Sequence, residues 1–260
     1  MRLENITWPG IQAYFSSNDG VIMAIGSIEC HGRHLPVGTD TLIPEKLLEM
    51  IEDRISMMIA PTVPFGVCPY FEDFPGTINI GEEILYPLVS KIVTSLYKAG
   101  ARRFIFLNGH GGNIKTLERI GYDIQRKKGL AAILNWWKIV GEINQEWKGG
   151  HGGAVETAAI MALNSDLVDE NELYEGGSFS DLTELLKVVS PSEVAFQNAL
   201  ITIPRNVQSV TDNGWFGLDH PENANVEWGI AMLSKFVDYF CDFIEEFNKI
   251  DLGDIGILQD

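Results

Sequence analysis

Short apolar runs alternate with longer amphipathic segments along this chain. The runs Val21 to Ile25, Met58 to Val63, Arg103 to Leu107, Ala131 to Asn135 and Leu200 to Ile203 have strand length and predict strands. Between and after them, Leu42 to Arg54, Glu82 to Ala99, Ile114 to Lys127, Val155 to Leu163, Asp181 to Val188 and Asn225 to Asn248 repeat apolar positions at three and four and predict helices. Strand then helix, repeated, makes an α/β protein with a mostly parallel sheet covered on both faces. No linker, repeat or low-complexity stretch divides the chain, so residues 1–260 are expected to form one domain with a substantial core. Ser178 to Val210 is the least regular stretch and is expected to hold an excursion or lid.

Composition narrows the function classes. With 19 Lys and Arg against 36 Asp and Glu, the formal charge is −17, which repels phosphate backbones and argues against a nucleic-acid partner. No run approaches the roughly 18 to 20 apolar residues of a membrane span. The opening M-R-L-E-N-I-T-W-P-G lacks the apolar core of a signal peptide. Cys30, Cys68 and Cys241 are odd in number and far apart, so a disulfide framework is not expected and a reducing cytoplasm is.

The chemistry concentrates at strand ends. G-S-I-E-C-H-G-R-H-L-P-V-G-T-D, Gly26 to Asp40, places Glu29, His31, His34 and Asp40 directly behind the first strand. Carboxylate oxygens and imidazole nitrogens in that position are what a catalytic divalent metal needs, although an ordinary polar strand end would also carry such residues. In extended backbone Glu29 and His31 share a face and Cys30 points away. His110 lies in N-G-H-G-G-N after the third strand, with Asn113 as the expected N-cap of the next helix. His151 lies in G-G-H-G-G-A-V-E, and His220 in L-D-H-P-E. Sheets of this type bind ligands beyond the carboxyl ends of their strands, where Glu29, His31 and His110 fall.

Taken in order, the Gly26 to Asp40 run, F-P-G-T at Phe74 to Thr77, N-G-H-G-G-N at Asn108 to Asn113 and H-G-G-A-V-E-T at His151 to Thr157 resemble the creatininase family of metal-dependent amidohydrolases. The resemblance covers most of the chain. It implies a three-layer α/β/α fold, one or two Zn2+ or Mn2+ ions per subunit, hydrolysis of a C–N bond in an amide, cyclic amide or formamide by a metal-activated water, and a homo-oligomer, often a hexamer. Because the family also contains a peptide-maturation protease and a keto-inositol hydrolase, membership constrains the chemistry more than the substrate.

Carried over position by position, the resemblance makes Glu29, His31, Asp40 and His110 metal ligands, with Asp40 the bridge if two ions sit side by side. His151 matches the family's proton-transfer histidine, and Trp147 a substrate-contacting tryptophan of creatinine amidohydrolase; core packing is the other reading of Trp147. That enzyme has an acidic ligand two residues after the histidine of the third motif, where this chain has Gly112. Glu156 is the expected replacement, as ligand or catalytic carboxylate, against the simpler role of an acid in a first helical turn. Arg33 stands where proline is common and is expected either to contact an anionic part of the substrate or to face solvent. Tyr70-Phe71-Glu72-Asp73 replaces a Glu-His common before F-P-G-T, and Asn213 to Ala224 enlarges the family's G-D-P segment with Trp215, Phe216 and His220, so creatinine itself is not the expected substrate.

Three other functions are compatible with the scaffold. A cyclic polyol ketone can be hydrolysed on the same centre. A non-catalytic small-molecule binder is favoured by the loss of an acid at Gly112. A hydrolase using Cys30 as nucleophile is disfavoured, because the alternation of extended backbone turns the thiol away from Glu29 and His31 and no nucleophile elbow is present.

Overall fold

The computed structural model of the chain describes residues 1–173, 181–190, 192–217 and 219–253. Four parallel strands, β1 (Gly20–Ile25), β2 (Met58–Val63), β3 (Arg103–Asn108) and β4 (Leu130–Asn135), form a sheet in the order β2-β1-β3-β4. The register runs unbroken between β1 and β3, from Gly20 opposite Arg103 to Ile25 opposite Asn108, so the two strands end side by side. Between β1 and β2 it shifts near Met23 to Ile25, and Gly26 N–H reaches the Val63 carbonyl at 2.8 Å.

Side-chain alternation divides the core into two layers. Ile22 and Ala24 of β1, with Ile59, Ile105 and Leu107, pack against α2 (Thr39–Ile51), α5 (Trp136–Ile143), α6 (Ala154–Asn164) and α7 (Val226–Lys249). Val21, Met23 and Ile25, with Phe104 and Phe106, pack against α3 (Glu82–Ala99) and α4 (Ile114–Arg126). Both faces of β1 are therefore buried, which is why it reads as an uninterrupted apolar run. The result is a three-layer α/β/α fold.

Several elements depart from the sequence expectation. Helix α1 (Trp8–Phe15) begins on Trp8-Pro9-Gly10, a triplet that reads as a turn, but Pro is favoured in a first helical turn, where its missing N–H has no partner to lose. Helix α5 starts directly from the last residue of β4, so no loop signal separates them. The stretch 181–188, expected as a helix, is bent chain leading into strand β5 (Lys187–Ser190). Asp181 holds it, accepting from Lys187 Nζ at 2.6 Å and from the Val188 N–H at 3.0 Å. β5 pairs antiparallel with β6 (Glu193–Phe196) and β6 with β7 (Ala199–Thr202) in a separate small sheet, so the strand expected at Leu200 to Ile203 does not join the parallel sheet. This small sheet occupies much of the irregular stretch Ser178 to Val210, whose residues 178–180 and 191 lie outside the described set.

Candidate metal centre

The carboxyl ends of β1 and β3 deliver the first set of side chains. After β1 the chain loops back on itself, Glu29 N–H donating to the Val37 carbonyl at 2.9 Å, and enters α2, whose first turn carries Asp40. After β3, Asn108 accepts from the His110 N–H at 3.2 Å and donates to the His110 carbonyl at 2.8 Å and to Asn135 at the end of β4 at 2.7 Å. Asn113 precedes α4, but its side chain does not cap the helix. It donates to the Gly26 carbonyl at 3.0 Å and accepts from the Val67 N–H at 3.1 Å, tying the His110 loop to those after β1 and β2.

The second set comes from the glycine-rich loop 149–153 and the first turn of α6. Asp219 binds this loop, accepting from the Gly150 N–H at 2.7 Å and the Val155 N–H at 3.2 Å, while its own carbonyl accepts from Ala154 N–H at 3.1 Å. Gly152 has φ +66°, and a side chain there would press within 3.0 Å of the His31 backbone, so this crossing requires glycine.

Five side chains from these segments meet around Asp40. Its Oδ1 lies 3.0 Å from His31 Nε2 and its Oδ2 3.0 Å from His110 Nδ1. Glu29 Oε1 is 3.1 Å from the same His110 nitrogen, and Glu156 Oε2 is 3.7 Å from His31 Nε2 while accepting the Gly152 N–H at 2.7 Å. The ligand atoms of Glu29, Asp40 and His110 fall within 4.8 Å of one another, as do those of His31, Asp40 and Glu156, with Asp40 common to both groups. His151 joins a third such group with Glu29 and His31, its Nδ1 3.6 Å from Glu29 Oε1.

Each imidazole is oriented by a backbone carbonyl behind it. His31 Nδ1 bonds the Glu29 carbonyl at 3.1 Å, His110 Nε2 the Val67 carbonyl at 2.9 Å, and His151 Nε2 the Cys30 carbonyl at 2.6 Å. When those nitrogens donate, the inner nitrogen of every ring presents a lone pair to a carboxylate oxygen. Lone pair against lone pair is repulsive unless a proton or a cation lies between, so the arrangement suits divalent ions with their histidine ligands held from behind. Glu29 Oε2 and Asp40 Oδ2 are buried without a hydrogen bond, which fits the same donor set.

The electrostatics agree. Burial opposes a charged His31, but Asp40 and Glu156 outweigh it and push the imidazole up to about 10; Glu29 and Asp40 likewise raise His110 well above its ordinary value despite burial. Burial raises Glu29, and Glu156 to about 7. Burial pushes Asp40 up as well, yet His31 and His110 overcome it and hold the carboxyl well below the usual range. Burial, reinforced by His31, keeps His151 neutral well below its ordinary value.

A cavity of about 410 Å³ opens over this cluster, lined by Glu29, Asp40, His110, His151 and Glu156 on one side and by aromatic residues on the other. His151 packs against both Phe71, 4.3 Å away, and Phe216, 5.0 Å away, two rings that also stack on each other at 6.3 Å, and Tyr70 and Trp137 extend the wall. No Lys or Arg is among the described lining residues. Two expected substrate contacts are elsewhere. Trp147 packs against the main core and is not among the described lining residues, whereas Trp137, which packs against the same core, also lines the cavity. Arg33 turns to Glu172, with Nε 2.6 Å from its carboxylate, and does not line the cavity. His34 supports α6 through Thr157 Oγ1 at 3.0 Å, and His220 packs edge-on against Trp215. Cys30 turns away from the cluster, as extended backbone requires, with Sγ 3.7 Å from the Asn213 carbonyl. The sequence alone did not single out Asp219 or Trp137, whereas Phe71 and Phe216 were named in it without a defined role. Phe71 and Phe216 stood out as departures from the family pattern; Asp219 and Trp137 carried no such signal.

Among known proteins, the family model for creatininase, described as creatinine amidohydrolase, matches residues 4–244. Creatinine amidohydrolase of Pseudomonas putida is 29% identical over 194 residues, 65% of this chain and 74% of that protein. The mycofactocin precursor peptide peptidase of Mycobacterium tuberculosis is 30% identical over 192 residues, 69% and 72% of the two chains. The 3-dehydro-scyllo-inosose hydrolase of Thermotoga maritima is 28% identical over 171 residues, 62% of this chain and 55% of that protein. Two solved creatininases share the fold: a manganese form (TM-score 0.74, 23% identity, 96% of this chain and 99% of that one) and a zinc–zinc form of a variant (TM-score 0.73, 22% identity, 96% and 98%).

Proposed function

This chain belongs to the creatininase family, and from that premise we propose that it is a metal-dependent hydrolase cleaving a C–N bond in a small cyclic amide or formamide. The observation that carries this reading is Asp40, which sets its two oxygens 3.0 Å from His31 and 3.0 Å from His110. Glu29, Asp40 and His110 would hold one divalent ion, Zn2+ or Mn2+, and His31, Asp40 and Glu156 a second. Such ions supply Lewis acidity and acidify water at neutral pH.

The chain's own groups do the rest. The aromatic wall takes the flat face of a ring and excludes water from the centre. His151 donates through Nε2 to the Cys30 carbonyl, which aims Nδ1 into the site, and its neutral form accepts a proton and passes it to the leaving nitrogen. Gly152 N–H orients the Glu156 carboxylate. A volume of about 410 Å³ with no described Lys or Arg in its wall suits a small molecule without anionic groups better than a long peptide. We read the protein as a cytoplasmic, single-domain homo-oligomer, hexameric as the family resemblance implies. In the described residues no helix is long and apolar enough to cross a membrane.

The test is a screen of the Zn- and Mn-loaded protein against cyclic amides, formamides, short peptides and cyclic polyol ketones. Turnover of a cyclic amide or formamide that disappears on chelation supports the proposal. Turnover of only the ketones transfers it to the keto-inositol type of hydrolysis, and metal uptake without turnover of any class favours a binding protein.

A further inference from the structure

We propose that the cleft between α3 and α4 is a second small-molecule site, shaped for a flat apolar body that carries an anionic group. The cleft encloses about 450 Å³, within the range of ligand pockets, and shares no lining residue with the cavity over the metal centre. Its floor is Val93, Ile120 and Ile124, the outer edge of the core layer that packs on the sheet.

Two tyrosines form its walls, and both are fixed before any ligand arrives. Tyr86 donates to Asp123 at 2.5 Å and carries the Arg119 guanidinium 3.8 Å above its ring. Tyr97 donates to the Lys127 carbonyl and carries Arg102 3.8 Å above its ring. Neither arginine lines the cleft, so each cation occupies one face of its tyrosine and braces the ring against the space on the other side. Rigid aromatic walls lose little entropy when a ring stacks on them.

The rim selects charge. Lys98, Arg126 and Lys127 line it with a single carboxylate, Asp123, in a chain that carries 36 acids against 19 Lys and Arg. Asp123 is taken by Arg126 at 2.6 Å, whereas neither Lys98 nor Lys127 forms an ion pair with a described carboxylate. On the α3 side, Ser90 Oγ is buried without a hydrogen-bond partner and lines the same space, a donor for a polar edge of the ligand. Apolar floor, braced rings, two uncommitted ammonium groups and an unpartnered hydroxyl match an aromatic or alicyclic carboxylate of about one to two rings.

The probes are 2-naphthoate and its neutral counterpart 2-naphthamide, titrated into the whole metal-loaded protein by calorimetry. Naphthoate is expected to bind at least tenfold more tightly than the amide. Lys98→Glu combined with Lys127→Glu should abolish that preference, and Ser90→Leu, which fills the cleft, should weaken both probes. Phe71→Ala, in the other cavity, should leave naphthoate binding unchanged. Equal affinity for acid and amide, or naphthoate binding that survives the lysine changes and is lost with Phe71→Ala, overturns the proposal. So does failure of naphthoate to bind accompanied by a changed oligomeric mass in the lysine variant, which would make this face a contact between copies of the chain.

Discussion

The Val67 carbonyl, 2.9 Å from His110 Nε2, occupies the space that a side chain at position 112 would need. A Cβ on Gly112 would lie 1.8 Å from that oxygen and 2.5 Å from the imidazole nitrogen. The glycine at this position is thus coupled to the carbonyl that orients His110, and in the proposed reading Glu156 supplies the carboxylate from another direction.

Restoring an acid there should therefore harm the site. Gly112→Glu and the milder Gly112→Ala are both expected to displace Val67 or His110 and to weaken metal binding about 10- to 100-fold, the usual cost of losing a partner behind a ligand. Metal titration by competition with a chelator measures this. Unchanged affinity in Gly112→Ala would show that the loop yields without cost.

Asp40→Ala and His110→Ala should each lose metal and activity together, since both remove a proposed donor. The fold should persist, because two large apolar layers rather than the ions hold the sheet. Elemental analysis and circular dichroism on the same samples check both halves. Full metal content with normal turnover in either variant contradicts the ligand roles.

Metal uptake should release protons. In the ion-free protein His31, pushed up to about 10 by Asp40 and Glu156, carries a proton at pH 8, and Glu29 and Asp40 raise His110 in the same direction. His31 must lose that proton to offer a lone pair, so metal uptake should release at least about one proton, and affinity should rise as pH increases from about 7 towards 10. Below about 7 Glu156 also protonates and uptake should weaken further. Calorimetry in buffers of different ionisation enthalpy counts the protons. Uptake independent of pH over this range is the opposing result.

In the proposed mechanism His151 moves a proton rather than binding the ion, so His151→Ala should keep its metal while turnover falls about 10²-fold or more. Asp219→Ala should act differently. It frees the Gly150 and Val155 N–H groups at the start of α6, costs about 1–2 kcal/mol in stability, and lets His151 and Glu156 drift, so that turnover and metal content fall together. Thermal unfolding, metal content and kcat, measured side by side on the two variants, separate the roles. Metal loss in His151→Ala would make that residue a ligand.

Much of this was legible in the residues. The four strands of the parallel sheet announced themselves as apolar runs, most fully in β1 and β3, whose two faces are both buried, and Glu29, His31, Asp40, His110, His151 and Glu156, named from motifs, meet in one cluster. What escaped depends on direction in space. Trp147 and Trp137 are equally visible in the sequence and both pack against the core, but only packing decides that Trp137 also lines the cavity. Arg33 follows Gly32, whose φ of +77° swings the chain outward towards Glu172. Asp181 to Val188 had helical spacing, yet Asp181 captures its own downstream backbone and commits the stretch to a turn before a strand. The Val67 carbonyl is backbone and has no sequence signature.

The central claim is that Asp40 joins two three-residue metal sets, the second completed by Glu156 in place of an acid at position 112. Metal content of the wild type and of Glu156→Gln, purified in parallel and loaded with Zn2+ or Mn2+, tests it most directly. The account predicts about two ions per chain in the wild type and about one in the variant, because an amide is a much poorer ligand than a carboxylate. Equal stoichiometry and equal turnover in the two proteins would contradict it, leaving Glu156 as a first-turn acid and the centre to Glu29, His31, Asp40 and His110 alone.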